Sequence, residues 1–355
     1  MTHRRKALFA VLATLCVLLV SEVLFRAWVG LVDTSLGERI ATHRDFHAPM
    51  GDLPNILYEP HPYYVYTART GQPGVNSWGF HFEELPLEKP PGTTRIICLG
   101  GSTTAGPKAW PYHLEQILNE RYPGPIEVLN FGTGGWTSQE STAAFTLLGQ
   151  SFDPDLVVVH HANNDIDPQL RADFRPDYAH YRKPISISRN DMGVLRLELE
   201  IKYRLDSFFV RWSSLYGYIR LWLVGDQGTV YTLDTLSTIS VGDTLPDEGQ
   251  NAGAFERNLE TIGTLIRASG GEVVLTTIPH VESHQPGWGQ QVDRQNQRVI
   301  ALARRNQWPS LALHDMEWEA AWFEDPIHLN QDGEKVKAER VADMVGPMLF
   351  ERRPR

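Results

Sequence analysis

Five short apolar runs recur in this chain, and turn-forming or polar residues close each one: RIICLG (95–100), IEVLNFG (126–132), DLVVVHHA (155–162), EVVLTTIP (272–279) and LALHD (311–315). Continuous β-branched runs of this length fit strands buried on both faces. Helical periodicity fills the intervals between them. WPYHLEQILNERY sets Leu114, Ile117 and Leu118 on one face, with Pro111 near its first turn. AFERNLETIGTLIRAS spaces Phe255, Leu259, Ile262 and Ile266 at helical intervals and closes at Gly270. VDRQNQRVIALARRN does the same with Val292, Val299 and Leu302, and QDGEKVKAERVADMVGPML ends the series. This alternation predicts an α/β three-layer sandwich, with a central parallel sheet of about five strands and helices on both faces. Ligands of such sheets bind beyond the C-terminal ends of the strands.

Three segments stand outside the alternation. MTHRRK carries three fixed positive charges, and Ala7 to Val32 is an apolar run of 26 residues, charged only at Glu22 and Arg26. A spanning helix needs about 20 residues. Glu22 and Arg26 are four apart and can pair on one helical face. No small-residue cleavage pattern closes the run, so residues 1–32 are expected to be an uncleaved membrane anchor, with a removed signal segment as the alternative. Basic residues before the span predict that the remainder lies outside the cytoplasm, on the periplasmic side. Cys16 follows Leu15 inside the continuing run, which is no lipidation context. With Cys98 in a buried strand, a disulfide between the two cysteines is not expected. Residues 33–92, rich in His, Pro, Tyr and Gly, read as a linker or as an extended layer packed on the main domain. Residues 168–250 interrupt the expected domain at 93–348 with aromatic clusters such as FFVRWSSLYGYIRLWLV. A helical cap, a lid, a substrate wall and a second approach to the membrane all remain open for this insertion. The formal net charge is −10 without any block of like charge, which excludes nucleic acid as a natural partner.

CLGGSTTAG (98–106) leaves the first run through two glycines and presents a serine at once. A phosphate-binding loop fails here, because Pro107 stands where the lysine is needed and Lys108 is followed by alanine. The G-x-S-x-G elbow fails too, because Thr104 takes the place of the last glycine. A plain turn or a nucleophile remains. A serine nucleophile needs a base, and the base needs a third group to hold its tautomer. FEDPIHLNQDG supplies both, as Asp325 and His328 three positions apart. Attack on an ester also builds negative charge that aimed N–H donors must meet. NFGTGGWTS follows the second run and offers Gly135, and HHANND follows the third and offers Asn164.

These four blocks, GGS, TGGWTS, ANND and DPIH, resemble in order those of the SGNH hydrolases, the GDSL-like lipases and acylhydrolases. The resemblance implies a flavodoxin-like fold over about residues 93 to 348, and VNSWGFHFEE before it resembles membrane-anchored bacterial members. It implies Ser102 as nucleophile, His328 as general base and Asp325 as its orienting partner. Ser102, Gly135 and Asn164 would form the oxyanion hole, with Gly134 as a rival for Gly135. Gly101 replaces the aspartate of G-D-S, and Ala162 replaces the glycine of G-x-N-D.

Other readings compete locally. Ser102 alone suits a turn, and Asn164 with Asp165 suits a helix cap. His160 and His161 alternate across a strand and cannot easily share a metal ion; one packs and one lines the cleft. His280 and His284 follow Pro279 in a loop rather than sitting on a helix, so a metal site is not expected there. Trp110, Trp136, Trp288, Trp318 and Trp322 read as packing residues or as sugar platforms. The expected function is a serine esterase without cofactor or metal, acting on a small acyl group on a carbohydrate or on a lipid ester. An O-acyltransferase on an exported polysaccharide uses the same triad. A membrane-tethered binding protein on an inactive hydrolase fold is the alternative of another class.

Overall fold

Residues 94–100, 126–130, 156–160 and 272–276 form fully paired parallel strands because each apolar run can send alternate side chains into two separate layers. The computed structural model describes residues 3–32, 36–37, 40, 58–171, 174–181, 208–210, 212–224, 251–282 and 287–351. It divides into a unit of Met1–Ile56 with Arg182–Ser240 and a unit of Leu57–Tyr181 with Val241–Arg355. The described strands are β1 (Tyr58–His61), β2 (Val65–Ala68), β3 (Thr94–Gly100), β4 (Ile126–Asn130), β5 (Leu156–His160), β6 (Glu272–Thr276) and β7 (Ser310–Leu311). The helices are α1 (His3–Val32), α2 (Trp110–Arg121), α3 (Ser138–Leu147), α4 (Ile166–Leu170), α5 (Ser214–Val224), α6 (Ala252–Ala268), α7 (Trp288–Asn306) and α8 (Gln331–Phe350).

In the second unit five parallel strands run in the order β4-β3-β5-β6-β7. Ile97, Leu99, Val157, Val159, Val273 and Leu275 face one apolar layer, closed by α3, α6 and α7. Ile96, Cys98, Leu156, Val158 and Val274 face the other, closed by α2 and α8. The fold is thus a three-layer α/β sandwich. The chain steps from β3 to β4 in one direction and then passes to β5 on the far side of β3. The carboxyl ends of β3 and β5 therefore flank the switch point, where open sheets leave a crevice.

The fifth run departs from a regular strand. Only Ser310 and Leu311 pair with β6, and the chain then enters a single turn at Leu313–Asp315. His314 explains the break: its amide donates to Thr277 Oγ1, which lies 2.8 Å from its Nδ1. β1 and β2 form an antiparallel hairpin, and Tyr64 in its turn and Phe80 beyond it are buried in the α3 layer. This segment braces the loop after β4. Tyr66 Oη donates to Gly134 O at 2.8 Å, and Trp136 Nε1 donates to Tyr66 O at 3.0 Å.

In the first unit, Leu8–Val32 of α1 is long and apolar enough to cross a membrane, and Val29 alone in that stretch is buried. Both cysteines are free thiols, Cys16 exposed and Cys98 buried.

Candidate active site

β3 ends at Gly100, in register with His160 of β5, and the chain turns sharply through Gly101 and Ser102. The amides of Thr104 and Ala105 both donate to Gly101 O at 3.1 Å, which closes the turn. Asn130, the last residue of β4, donates through Nδ2 to Thr104 O and Gly106 O and accepts from Gly132 N. From the other side Lys337 Nζ donates to Thr103 O at 2.7 Å and lies 3.3 Å from Glu334 Oε1. The second Glu334 oxygen accepts from Trp110 N at 2.6 Å, so the first turns of α8 also cap α2. Burial pushes the Lys337 ammonium down from its ordinary value, and Glu334 opposes that fall. The serine is thus half-buried at the tip of a turn whose backbone is pinned on two sides.

Ser102 Oγ lies 2.8 Å from His328 Nε2, and His328 Nδ1 lies 2.5 Å from Asp325 Oδ2. The other Asp325 oxygen accepts from the amides of Ile327 at 2.9 Å and His328 at 2.8 Å. Partial burial raises the Asp325 pKa, but these amides and the His328 ring outweigh it and hold the carboxyl below its ordinary value. The local fold explains how three positions bring acid and ring together. Phe323 bridges Leu329, Glu324 N donates to His328 O, and Asn330 caps α8 through the amides of Asp332 and Gly333. The loop is closed tightly enough to bring the carboxylate to Nδ1.

Gly135 adopts φ +73°, a left-handed conformation that favours glycine. Gly134, the rival position, instead accepts Tyr66 Oη at its carbonyl. Asn164 follows β5, and its Nδ2 donates to Trp136 O at 2.9 Å, which draws the second and third loops together. Asp165 fixes the same junction from beneath: its carboxyl accepts from Ser138 Oγ at 2.6 Å and Ser138 N at 3.0 Å. Burial pushes the Asp165 carboxyl up to about 7, against those donors, and burial pushes His161 down to about 4. The two side chains are 4.0 Å apart. They are both biased toward neutrality rather than forming an ion pair. His160 and His161 line a small pocket with Gly101–Thr103, Ala162–Asn164, Ile278 and Ile327. Its volume is about 10 Å³.

A family model for GDSL-like lipases and acylhydrolases matches residues 98–336, two thirds of the sequence. The chain belongs to that family. It is a hydrolase of the GDSL-like, or SGNH, type. Among solved structures it is similar to a catalytic mutant of an acetylxylan esterase from Geobacillus stearothermophilus, at 15% identity and TM-score 0.43, over 74% of this chain and 97% of that one. It is also similar to a lipase/acylhydrolase from Enterococcus faecalis, at 13% identity and TM-score 0.44, over 72% and 96% of the two chains. No curated protein matches it.

Within this GDSL-like hydrolase, Gly101 has a spatial reason to lack a side chain. A Cβ there would collide with Asn164 Nδ2 and stand 3.1 Å from Trp136 O. Ala162 is buried with Ile278 and Ile327, so its extra methyl is absorbed in an apolar patch. His280 bonds Asp293 at 2.9 Å, while His284 lies outside the described residues. Trp110 and Trp136 are fully buried; Trp288, Trp318 and Trp322 are half-buried at the surface. Sequence reasoning missed Lys337, Glu334 and Ser138, and read Asp165 only as a helix cap. Lys337 did leave a signal, since it falls in the stripe of Val341 and Val345 on α8, where a lysine is out of place unless its charge has a buried partner.

Proposed function

We propose that this hydrolase is a serine esterase working through an acyl-serine intermediate, and the hydrogen-bonded line Asp325–His328–Ser102 carries the reading. A hydroxyl is a poor nucleophile until a base takes its proton. His328 Nε2 accepts the Ser102 proton as Oγ bonds to the ester carbonyl carbon, and the carbonyl electron pair moves onto its oxygen. Asp325 holds the imidazole in the tautomer with hydrogen on Nδ1 and stabilises the imidazolium. When the tetrahedral species collapses, the C–O bond to the alcohol breaks and His328 returns the proton to the leaving oxygen. Water then repeats the sequence on the acyl-serine, releasing the acid and restoring Ser102.

The oxyanion is met by the backbone N–H groups of Ser102 and Gly135 and by the Asn164 amide. That amide carries two hydrogens; one goes to Trp136 O, and the other serves the oxyanion. One such donor contributes roughly 3–4 kcal/mol to the transition state. The narrow pocket beside Ser102 favours an acetyl-sized acyl group over a long chain. In this reading residues 1–32 anchor the chain, the basic residues before the span stay in the cytoplasm, and the hydrolase domain at 93–348 works outside it on an acylated carbohydrate. Handing the acyl group to a sugar hydroxyl in place of water turns the same site into an O-acyltransferase, which the same assay detects as acylated sugar.

A panel of p-nitrophenyl esters tests the acyl preference, with acetylated oligosaccharides as second substrates. The expected result is kcat/KM for acetate at least about tenfold above octanoate, a typical discrimination for an apolar pocket. A preference for octanoate would defeat the small-acyl reading.

A further inference from the structure

Glu22 and Arg26 are the two charges within the apolar stretch Leu8–Val32 of α1, and the first unit shows what they hold. Arg26 Nε donates to Glu22 Oε1 at 2.7 Å, and its Nη2 donates to Trp212 O at 2.9 Å. Glu22 also accepts from Ser213 Oγ at 2.7 Å, Ser214 N at 2.6 Å and Leu215 N at 3.1 Å. A carboxylate of α1 therefore caps the N-terminus of α5, where the helix dipole favours negative charge. Beyond this polar clasp the contact is apolar. The Phe25 and Tyr218 rings are 5.4 Å apart, and Val29 and Ile40 are buried between them and Leu36.

The far side of this pair is uncovered. Trp222 is 75% exposed and Phe208 56%, with Phe209 and Ile219 also exposed. On α1 itself Leu19, Val23 and Leu24 are also exposed. Leu8 and Glu22 are separated by about 21 Å along the helix, less than the roughly 30 Å of hydrocarbon in a bilayer. With Leu8 at one boundary, Glu22 still lies inside the apolar layer, and so does the helix start that it caps. A charge at that depth is tolerated where it is paired and hydrogen-bonded; Arg26 supplies the pair, and Ser213, Ser214 and Leu215 at the start of α5 supply the hydrogen bonds.

We propose that residues 208–224 form a second membrane-embedded element, a short segment that enters the bilayer beside α1 and returns. Acyl chains occupy its aromatic face. The proposal rests on the anchor reading of α1 and goes beyond it: the chain grips lipid at two places rather than one. Glu22 and Arg26 are the clasp that holds the second.

The test uses the full chain with Cys16→Ser, the buried Cys98 retained, and single cysteines in turn at Leu24, Phe208, Trp222 and Glu120. Each is labelled with an environment-sensitive fluorophore and reconstituted into phosphatidylcholine–phosphatidylglycerol vesicles containing doxyl lipids, with iodide as the aqueous quencher. The expected result is blue-shifted emission, lost to doxyl lipid, at positions 24, 208 and 222, and iodide quenching alone at 120. Lipid quenching at 24 with iodide quenching at 208 and 222 overturns the inference and leaves the anchor standing. Absence of lipid quenching at 24 overturns both. Protection of 208 and 222 from both quenchers means that protein covers the face, and lipid as the occupant is overturned. Glu22→Ala in the Trp222→Cys background is expected to abolish lipid quenching at 222 while position 24 keeps it; unchanged quenching at 222 overturns the clasp.

Discussion

Gly101 is where this chain departs most tellingly from the G-D-S pattern. The missing side chain makes room for the Asn164 amide against Trp136 O. Gly101→Ala is therefore expected to displace that amide and lower kcat about 10²-fold, the cost of one oxyanion donor, with KM little changed. Steady-state kinetics on p-nitrophenyl acetate checks this; an unchanged kcat would mean that Asn164 does not act from where it lies. At this scale the sequence was most legible where the partners are neighbours in the chain. Asp325 and His328 are three positions apart, and the closed loop around them makes that spacing sufficient. The link from His328 to Ser102 spans 226 positions, and no local pattern predicts it. It could be inferred only from the resemblance of the four ordered blocks to those of the SGNH hydrolases. Lys337 was passed over for a related reason: its partner Thr103 is a backbone carbonyl, which leaves no mark in a sequence.

The turn that presents Ser102 depends on elements distant in the chain. α8 supplies Lys337 and Glu334, and through them joins the start of α2 to the turn. Lys337→Met is expected to cost about 3–5 kcal/mol, because it leaves the Glu334 carboxylate buried without its cation. A thermal melt of the variant beside wild type reads that loss, and an unchanged midpoint would show that the pair carries no weight. The strands and helices α2, α6, α7 and α8 were legible because burial on two faces and on one stripe leave opposite periodicities. β7 was over-read from LALHD, since an apolar run does not reveal that His314 diverts the chain to Thr277. α3 was missed. Its stretch, SQESTAAFTL, has a weak apolar stripe, and its start is set by the Thr137–Glu140 capping box rather than by periodicity. α5 lay within an aromatic stretch whose role could not be chosen from sequence, because its cap is a carboxylate 192 positions earlier.

For the molecule as a whole, buried titratable groups set the response to acid. Burial holds His81, His113, His160 and His161 below the ordinary histidine value, so they stay neutral in the fold and take up protons on unfolding. Their contribution is complete above about pH 6.5 and is lost as pH falls through their lowered values, about 4 for His161. Asp165 and Glu115 work in the opposite direction. Burial raises both, so the folded protein keeps protons that the unfolded chain has released, and their contribution declines as pH rises above about 4, for Asp165 up to about 7. The histidines outnumber them, and stability should be lower at about pH 5 than at about pH 7.5. Thermal midpoints of the full chain in detergent at the two pH values check this. Asp165→Asn, which removes one opposing slope, should enlarge the difference. A midpoint at acid pH equal to or above the neutral one would contradict the assignment of these groups.

The central claim is that Ser102 is an activated nucleophile, and covalent labelling reads it most directly. The full chain in vesicles is treated with a fluorophosphonate probe, and the modified peptide is located by mass spectrometry. The account predicts one labelled site, Ser102, with labelling abolished in Ser102→Ala and slowed at least about 10³-fold in His328→Gln. Labelling that survives Ser102→Ala, or a folded chain that takes up no probe at all, would contradict it.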